Sequence, residues 1–305
     1  MLEFAIVTNE NEEYKFQKSR SLRLLLDLNC RLQFLEAHSA LSALIVENTR
    51  ITSGGKSDEF DGIWAGSLTD ATIKGQPDNE TVDFDSRLNT LNEILAVTTK
   101  PILYDGDSGG TASNFQKLVK TLGRVGVAGV VIEDKEGLKQ NSLLATSVQQ
   151  QTSIDSFVEK IIAGKSVAPN KDFMIFGRIE SLITGNGMAD ALLRANSYIL
   201  AGADGIMIHS RSIEPSEIFE FCEEFCKSHR SIPLIVVPST FDTTTNKSLW
   251  DRGVNIVIYA NQLLRSAYPA MLDTATSILQ HGRAAESKDQ MMSIKEVLEI
   301  IPDRS

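Results

Sequence analysis

Eight short apolar runs recur along the chain, each followed by a stretch long enough for a helix. They are Phe34–Ala37, Gly62–Ala65, Pro101–Tyr104, Gly129–Ile132, Phe173–Phe176, Gly205–Ile208, Pro233–Val237 and Val254–Ala260. Most are continuously apolar and rich in Ile and Val, the pattern of strands buried on both faces. The intervening stretches carry helical periodicity. Phe115–Val125 sets Phe115, Leu118, Val119 and Leu122 on one face, and Asp155–Ala163 behaves similarly. Met188–Ala201 repeats the pattern and is stopped by Gly202. Eight β-then-α units predict an α/β fold of the (β/α)8 TIM-barrel type. A doubly wound open sheet is the competitor, but no Gly-x-Gly-x-x-Gly follows an early strand.

No linker or composition shift divides the chain, so residues 1–305 read as one barrel domain. Residues 1–20 form an N-terminal appendage and residues 284–305 a C-terminal extension, with terminal helix over Ala284–Asp303. Asn48–Glu59 reads as an exposed loop or hairpin. The connections Thr69–Asp85 and Lys135–Thr152 are long enough to be active-site lids.

Composition narrows the partners. A net charge of −10 with no compensating basic stripe argues against nucleic acid. No apolar run approaches the roughly 18 residues that cross a bilayer, and the first residues lack the positive region of a signal peptide. Three cysteines, Cys30, Cys222 and Cys226, give no disulfide framework and fit a reducing cytoplasm. Cys222 and Cys226 lie four apart on a predicted helix, Ile213–Lys227, and read as packing residues. The charges of Glu214, Glu217, Glu220, Glu223 and Glu224 read as a solvated face.

The chemistry gathers at the strand ends, where a barrel of this kind builds its active site. Those ends offer Glu36 and His38, Trp64 to Leu68, Asp105 and Asp107, Glu133, Arg178 and Glu180, His209, Ser239 and Asn261. Asp105, Asp107 and Glu133 are hard oxygen donors with no cysteine or histidine between them, which suits Mg2+ or Mn2+ better than Zn2+. Arg178 has the fork that grips a carboxylate or phosphoryl group, and a structural ion pair with Glu180 is the plain alternative. His209 could polarise a carbonyl oxygen or hold a neighbour.

These residues together resemble the phosphoenolpyruvate mutase family of the isocitrate lyase/phosphoenolpyruvate mutase superfamily, from about Arg20 to Ala285. The landmarks are Glu36-Ala37-His38-Ser39-Ala40-Leu41-Ser42-Ala43, Gly62-Ile63-Trp64, Asp105-Gly106-Asp107-Ser108-Gly109-Gly110, and Glu133-Asp134-Lys135 with Lys139-x-Asn141-Ser142. Arg178-Ile179-Glu180, Ile208-His209-Ser210 and Tyr259-Ala260-Asn261 follow. The resemblance implies isomerisation of phosphoenolpyruvate to phosphonopyruvate, with Asp105 holding Mg2+ and Asp107 and Glu133 acting largely through water. It also implies a pyruvyl group near Arg178, His209 and the backbone of Ser67 and Leu68, with Lys139 and Asn141 on the phosphoryl group. Lys135 and Asn141, Lys139, Arg178 and His209 are the candidate catalytic residues. Trp64, Ser67, Leu68, Asp78, Ser142, Glu180 and Ser239 are the candidate substrate-binding residues.

Departures from the family pattern are few. Gly66 stands where a serine is usual, Ser108 where threonine is, and Gly177 where alanine is common. Asn141 favours the mutase over phosphonopyruvate hydrolase, whose loop typically has threonine there. A carbon–carbon lyase would need a loop cysteine that Lys135–Ser142 lacks, and a non-catalytic binding barrel is motivated by Gly66 alone. The resemblance further implies a homodimer or homotetramer formed by swapping a C-terminal helix, compatible with the apolar Leu263, Leu264, Ala267, Tyr268, Met271 and Leu272. A downstream phosphonopyruvate-consuming enzyme is also expected, because the product lies uphill.

Overall fold

The computed structural model describes residues 21–29, 31–137, 139–143 and 149–301, so the expected appendage over residues 1–20 lies outside the described residues. Eight parallel strands close into a barrel: β1 (Leu32–Glu36), β2 (Gly62–Ala65), β3 (Ile102–Asp105), β4 (Gly129–Glu133), β5 (Met174–Ile179), β6 (Gly205–Ile208), β7 (Leu234–Val236) and β8 (Ile256–Tyr259). Each pairs with its sequence neighbours, and β1 pairs with both β2 and β8. Every predicted apolar run is a strand, with ends shifted by a few residues; β5 runs on through Arg178 to Ile179.

The barrel interior is closed by large side chains set against glycines of adjacent strands. Phe34 is in register with Gly62, and Phe176 with Gly205. A Cβ at Gly62 would fall 2.2 Å from the Phe34 ring, and one at Gly205 2.5 Å from the Phe176 ring. Around these pairs Leu32, Leu103, Val131, Met207, Ile235, Ile256 and Ile258 form the buried core. Layers of bulky residues fill such a barrel rather than leaving a pore.

Helices Ala112–Val125, Ile154–Lys165 and Gly187–Leu200 realise the predicted amphipathic stretches, burying Phe115, Val119 and Leu122 in the first of them. Thr111 and Ser153 cap the first two, and Gly126 ends the first with φ 90°. Helix Ser216–His229 starts and ends later than the pattern predicts, and buries Cys222. Asn48–Glu59 holds an antiparallel hairpin, Arg50–Ser53 with Lys56–Glu59. Of the two long connections, Thr69–Asp85 is partly helical, since helix Ser67–Ile73 occupies its start. The other is anchored by a short antiparallel ribbon, Lys135–Glu136 with Gln150–Gln151. Among the described residues no helix is long and apolar enough to cross a membrane.

The chain falls into two compact units, one up to Asn261 and one from Gln262, whereas the sequence draws its extension from residue 284. The second unit holds helix Gln262–His281, a 3-10 turn Ala285–Gln290, and helix Ile294–Ile300 with a Ser293/Glu296 capping box. In it Leu264 is buried, while Tyr268, Met271, Leu272, Leu279 and Leu298 are more than half exposed.

Candidate active site

The C-terminal ends of the strands surround a cavity of about 80 Å³. Its walls include Trp64, Ser67, Leu68, Asp78, Asp105, Glu133, Lys135, Lys139, Asn141, Ser142, Arg178, His209, Ser239 and Asn261. Those are most of the residues predicted from the sequence, drawn from strands and loops up to 197 positions apart, from Trp64 to Asn261. Asp107 and Glu180 do not line the cavity; each backs a residue that does.

Asp105 ends β3, where its Oδ2 accepts from the Ser67 backbone N–H at 3.2 Å and the Ser67 hydroxyl at 2.8 Å. Gly106 follows because a Cβ there would lie 2.8 Å from Val130 and 3.0 Å from the Val131 carbonyl. Asp107 takes a left-handed conformation, φ 51°, which aspartate tolerates better than most residues. Its Oδ2 accepts from Arg87 at 2.8 Å, and Arg87 also donates to the Asp105 carbonyl at 2.7 Å. Burial alone would push Asp105 up, but Lys139, Arg178 and Arg87 hold it down at about 2. Asp105 is therefore a carboxylate at any working pH.

The loop after β4 brings its polar residues over this floor. The Lys139 ammonium donates to the Ser67 hydroxyl at 2.5 Å and pairs with Asp78 and Asp107. Burial works against its charge, yet Asp107, Asp105 and Asp78 outweigh it and raise the pKa. The Asn141 amide donates to Asp78 at 3.1 Å, and its carbonyl accepts from Leu143 N–H at 3.0 Å. Asp78 thus holds both loop residues. Lys135 turns back to its own loop, donating to the Gln140 carbonyl and the Ser142 hydroxyl at 2.8 Å each, while pairing with Glu133 at 3.2 Å.

Arg178, at the end of β5, reaches the Ser142 hydroxyl at 2.8 Å, His209 Nδ1 at 2.9 Å and Glu133 at 3.3 Å, and pairs closely with Glu180. The ion pair with Glu180 set out as the plain alternative is therefore present, and the guanidinium lines the cavity as well. Glu180 is fully buried; desolvation opposes its charge, but Arg178 and His209 pull its pKa well down. Glu133 has weaker support. Burial, and then Glu180 across from it, outweigh Arg178 and Lys135 and raise it to about 7. Burial and the Arg178 charge lower the pKa of His209, so the imidazole stays neutral near neutral pH.

The donors suit a hard divalent cation. Asp105, Asp107 and Glu133 offer only oxygen from adjacent strands, and the buried Asp107 Oδ1 meets the Lys139 ammonium. Among the described residues no three carboxylate, histidine or cysteine side chains are gathered as a ready cluster. Lysine ammonium and arginine guanidinium groups stand between the carboxylates instead.

Sequence reasoning misses Arg87 and Gln151, and gives Asp134 a place in the Glu133-Asp134-Lys135 landmark but no role. Arg87 lies on helix Phe84–Leu95, far along the chain from any strand end, yet stacks 4.4 Å over the Tyr104 ring at the end of β3. The signal available is an arginine on the same helical face as buried Leu91 and Ile94. Gly66, in place of the usual serine, has a local reason. A Cβ there would fall 2.7 Å from the Trp64 indole nitrogen. The neighbouring Ser67 hydroxyl meets Asp105 and Lys139 instead.

Comparison with known proteins identifies the family of the chain. The family model described as phosphoenolpyruvate phosphomutase matches residues 22–279. The chain is similar to a phosphoenolpyruvate phosphomutase of Tetrahymena pyriformis, 38% identical over 87% of this chain and 85% of the relative. Among solved structures it is similar to a phosphoenolpyruvate phosphomutase from Streptomyces platensis subsp. rosaceus, with a TM-score of 0.85, 31% identity, and coverage of 92% of this chain and 94% of that one. It is also similar to a phosphonopyruvate hydrolase solved in complex with oxalate and Mg++, with a TM-score of 0.81, 30% identity, and coverage of 93% and 94%. The closed parallel barrel, the cavity at its strand ends and these matches together make the chain a member of the phosphoenolpyruvate phosphomutase family of enzymes.

Proposed function

We propose that this enzyme interconverts phosphoenolpyruvate and phosphonopyruvate, with Mg2+, or Mn2+ in its place, held by Asp105, Asp107 and Glu133. The observation that carries this reading is the set of groups on the loop. Lys139 and the neutral Asn141 amide both meet Asp78 beside Asp105, and no cysteine or histidine is present on Lys135–Ser142.

The reaction breaks the bond between phosphorus and the enol oxygen and forms one between phosphorus and the terminal carbon. The electron pair left on oxygen becomes the enolate, whose carbon then attacks phosphorus, so no proton or co-reactant is needed. The transferred group passes through a loose, metaphosphate-like state, and positioning and charge compensation supply most of the catalysis. Arg178, charged and facing the cavity, would bind the pyruvyl carboxylate and stabilise the developing enolate. Neutral His209 can donate a hydrogen bond to the same oxygen without bringing a full positive charge to it. Lys139 and Asn141 would hold the phosphoryl oxygens, and a neutral amide does so without activating water as a base. Trp64, Ser67, Leu68, Ser142 and Ser239 would line the pocket, and Glu180 would orient Arg178 and His209. Lys135 would tie the loop down over the substrate and keep water out. The divalent cation, when bound, would add positive charge where the enolate develops.

The family likeness supports a homodimer or homotetramer in the cytoplasm, with a second enzyme consuming phosphonopyruvate.

A coupled assay separates this function from hydrolysis. With phosphonopyruvate and Mg2+, lactate dehydrogenase alone reports pyruvate, whereas adding pyruvate kinase and ADP reports phosphoenolpyruvate too. NADH oxidation that requires pyruvate kinase supports the mutase. Oxidation without it assigns the hydrolase, the activity named for one structural relative.

A further inference from the structure

Directly after Glu133 lies Asp134, fully buried, with four donors making five hydrogen bonds to its carboxylate. Oδ1 accepts from the Glu180 backbone N–H at 3.0 Å and, with Oδ2, from the Gln151 side-chain amide at 3.0 Å. Oδ2 also accepts from the Tyr198 hydroxyl at 2.7 Å and Arg194 at 3.2 Å. The backbone of Asp134 is used as well. Its N–H donates to the Arg178 carbonyl at 3.1 Å, and its carbonyl accepts from Thr152 N–H at 2.9 Å. Arg194 in turn donates to the Thr152 carbonyl at 2.9 Å.

These bonds connect three parts of the molecule. Asp134 begins the segment that carries Lys139, Asn141 and Ser142, and Gln151 and Thr152 end it. Arg178 and Glu180 belong to the end of the adjacent strand, where Arg178 is in register with Glu133. Gln151 is held from both sides of its amide, since it donates to Ser181 at 3.1 Å and accepts from Thr184 at 2.9 Å and Asn186 at 2.6 Å. A buried carboxylate is expensive unless fully satisfied, and a network this complete fixes a single geometry.

We propose that Asp134 and Gln151 are positioning residues that clamp both ends of the phosphoryl-holding loop to the strand end bearing Arg178 and Glu180. Neither side chain touches the cavity. Their effect is on registry: the clamp sets the distance between the groups that hold the phosphoryl and those that hold the enolate. The inference rests on the phosphoryl-transfer reading above. If it is right, loosening the clamp lets the transferred group be lost to water before the enolate carbon can attack. Misplacement by about 1 Å is enough to lower turnover by about a hundredfold.

The test compares Gln151→Ala with Tyr198→Phe. Both remove bonds to the same carboxylate, but only Gln151 lies on the loop. The coupled assay with phosphonopyruvate and Mg2+ reads kcat, KM and the share of pyruvate over phosphoenolpyruvate. Gln151→Ala is expected to lower kcat by about tenfold to a hundredfold, with a smaller change in KM, and to raise the pyruvate share. Tyr198→Phe is expected to lower the melting temperature while leaving that share at the wild-type value. A wild-type kcat and product share in Gln151→Ala overturns the proposal, and so does an equal shift in Tyr198→Phe. A second readout does not depend on the reaction catalysed. Amide exchange at Thr152 and over residues 139–143 is expected to quicken in Gln151→Ala, and unchanged exchange contradicts the clamp whatever the wild-type enzyme makes.

Discussion

At the scale of single residues, the site works through charges that are buried and mutually satisfied. Arg87 illustrates this. It is 9% exposed, and its guanidinium serves Asp107 and the Asp105 carbonyl while lying near Asp70. Replacing it with methionine keeps much of the volume but takes one of two cationic partners from each of the buried Asp107 and Asp70, leaving them Lys139 and Lys74. Unfolding free energy by urea titration should fall by about 3–5 kcal/mol. A change within about 0.5 kcal/mol would mean that solvent reaches those carboxylates freely. His209 gives a dependence on pH. Its folded pKa is lowered, so in the window below the ordinary value the unfolded chain binds more protons than the folded one. The stabilising contribution is complete above about pH 6.5 and is lost as pH falls from there. Wild-type protein should therefore lose stability more steeply than His209→Asn between about pH 6.5 and 5. Parallel curves would show that the imidazole gains its proton without penalty.

At the scale of elements, the barrel was largely legible in the sequence, because strands buried on both faces leave unbroken apolar runs. What the runs could not locate were their ends: β5 continues through Arg178, a charged residue that stays in the ladder because its head reaches the cavity. Helix Ser67–Ile73 was hidden inside a long connection, since seven residues are too few for a clear period. Asp105, Glu133, Arg178 and His209 could be read as strand-end residues, and they meet around one cavity. Asp107 and Glu180 have the same sequence signature but back the wall, because exposure is set by side-chain direction. Arg87 and Gln151 were not legible, as their partners lie 17 to 35 positions away in sequence. The packing of large against small across adjacent strands supplies a prediction of its own. Gly205→Ala drives a methyl group against the Phe176 ring and the Pro233 carbonyl, with backbone on one side preventing easy relief. Thermal unfolding should show a loss of about 1–3 kcal/mol. An unchanged midpoint would mean that β6 shifts freely against β5.

At the scale of the whole molecule, the ends of β2 to β8 and the loops after them deliver acidic, basic and amide groups to one cavity that none of the elements could form alone. Carboxylates concentrate along β3 and β4, cations on the loop and β5, and the two sets neutralise each other. That balance predicts a requirement for added metal. Treatment with EDTA should abolish turnover of phosphonopyruvate, and Mg2+ or Mn2+ should restore it, while the melting temperature of the stripped protein stays high because lysine and arginine already satisfy the carboxylates. Full activity after exhaustive chelation would rule out the assigned role of Asp105, Asp107 and Glu133. The central claim is that the phosphoryl group moves between oxygen and carbon within one substrate molecule. Phosphorus NMR of the enzyme with phosphonopyruvate and Mg2+, followed over time, tests it most directly. The phosphonopyruvate signal should give way to that of phosphoenolpyruvate; its replacement by inorganic phosphate, with pyruvate accumulating, would contradict the account.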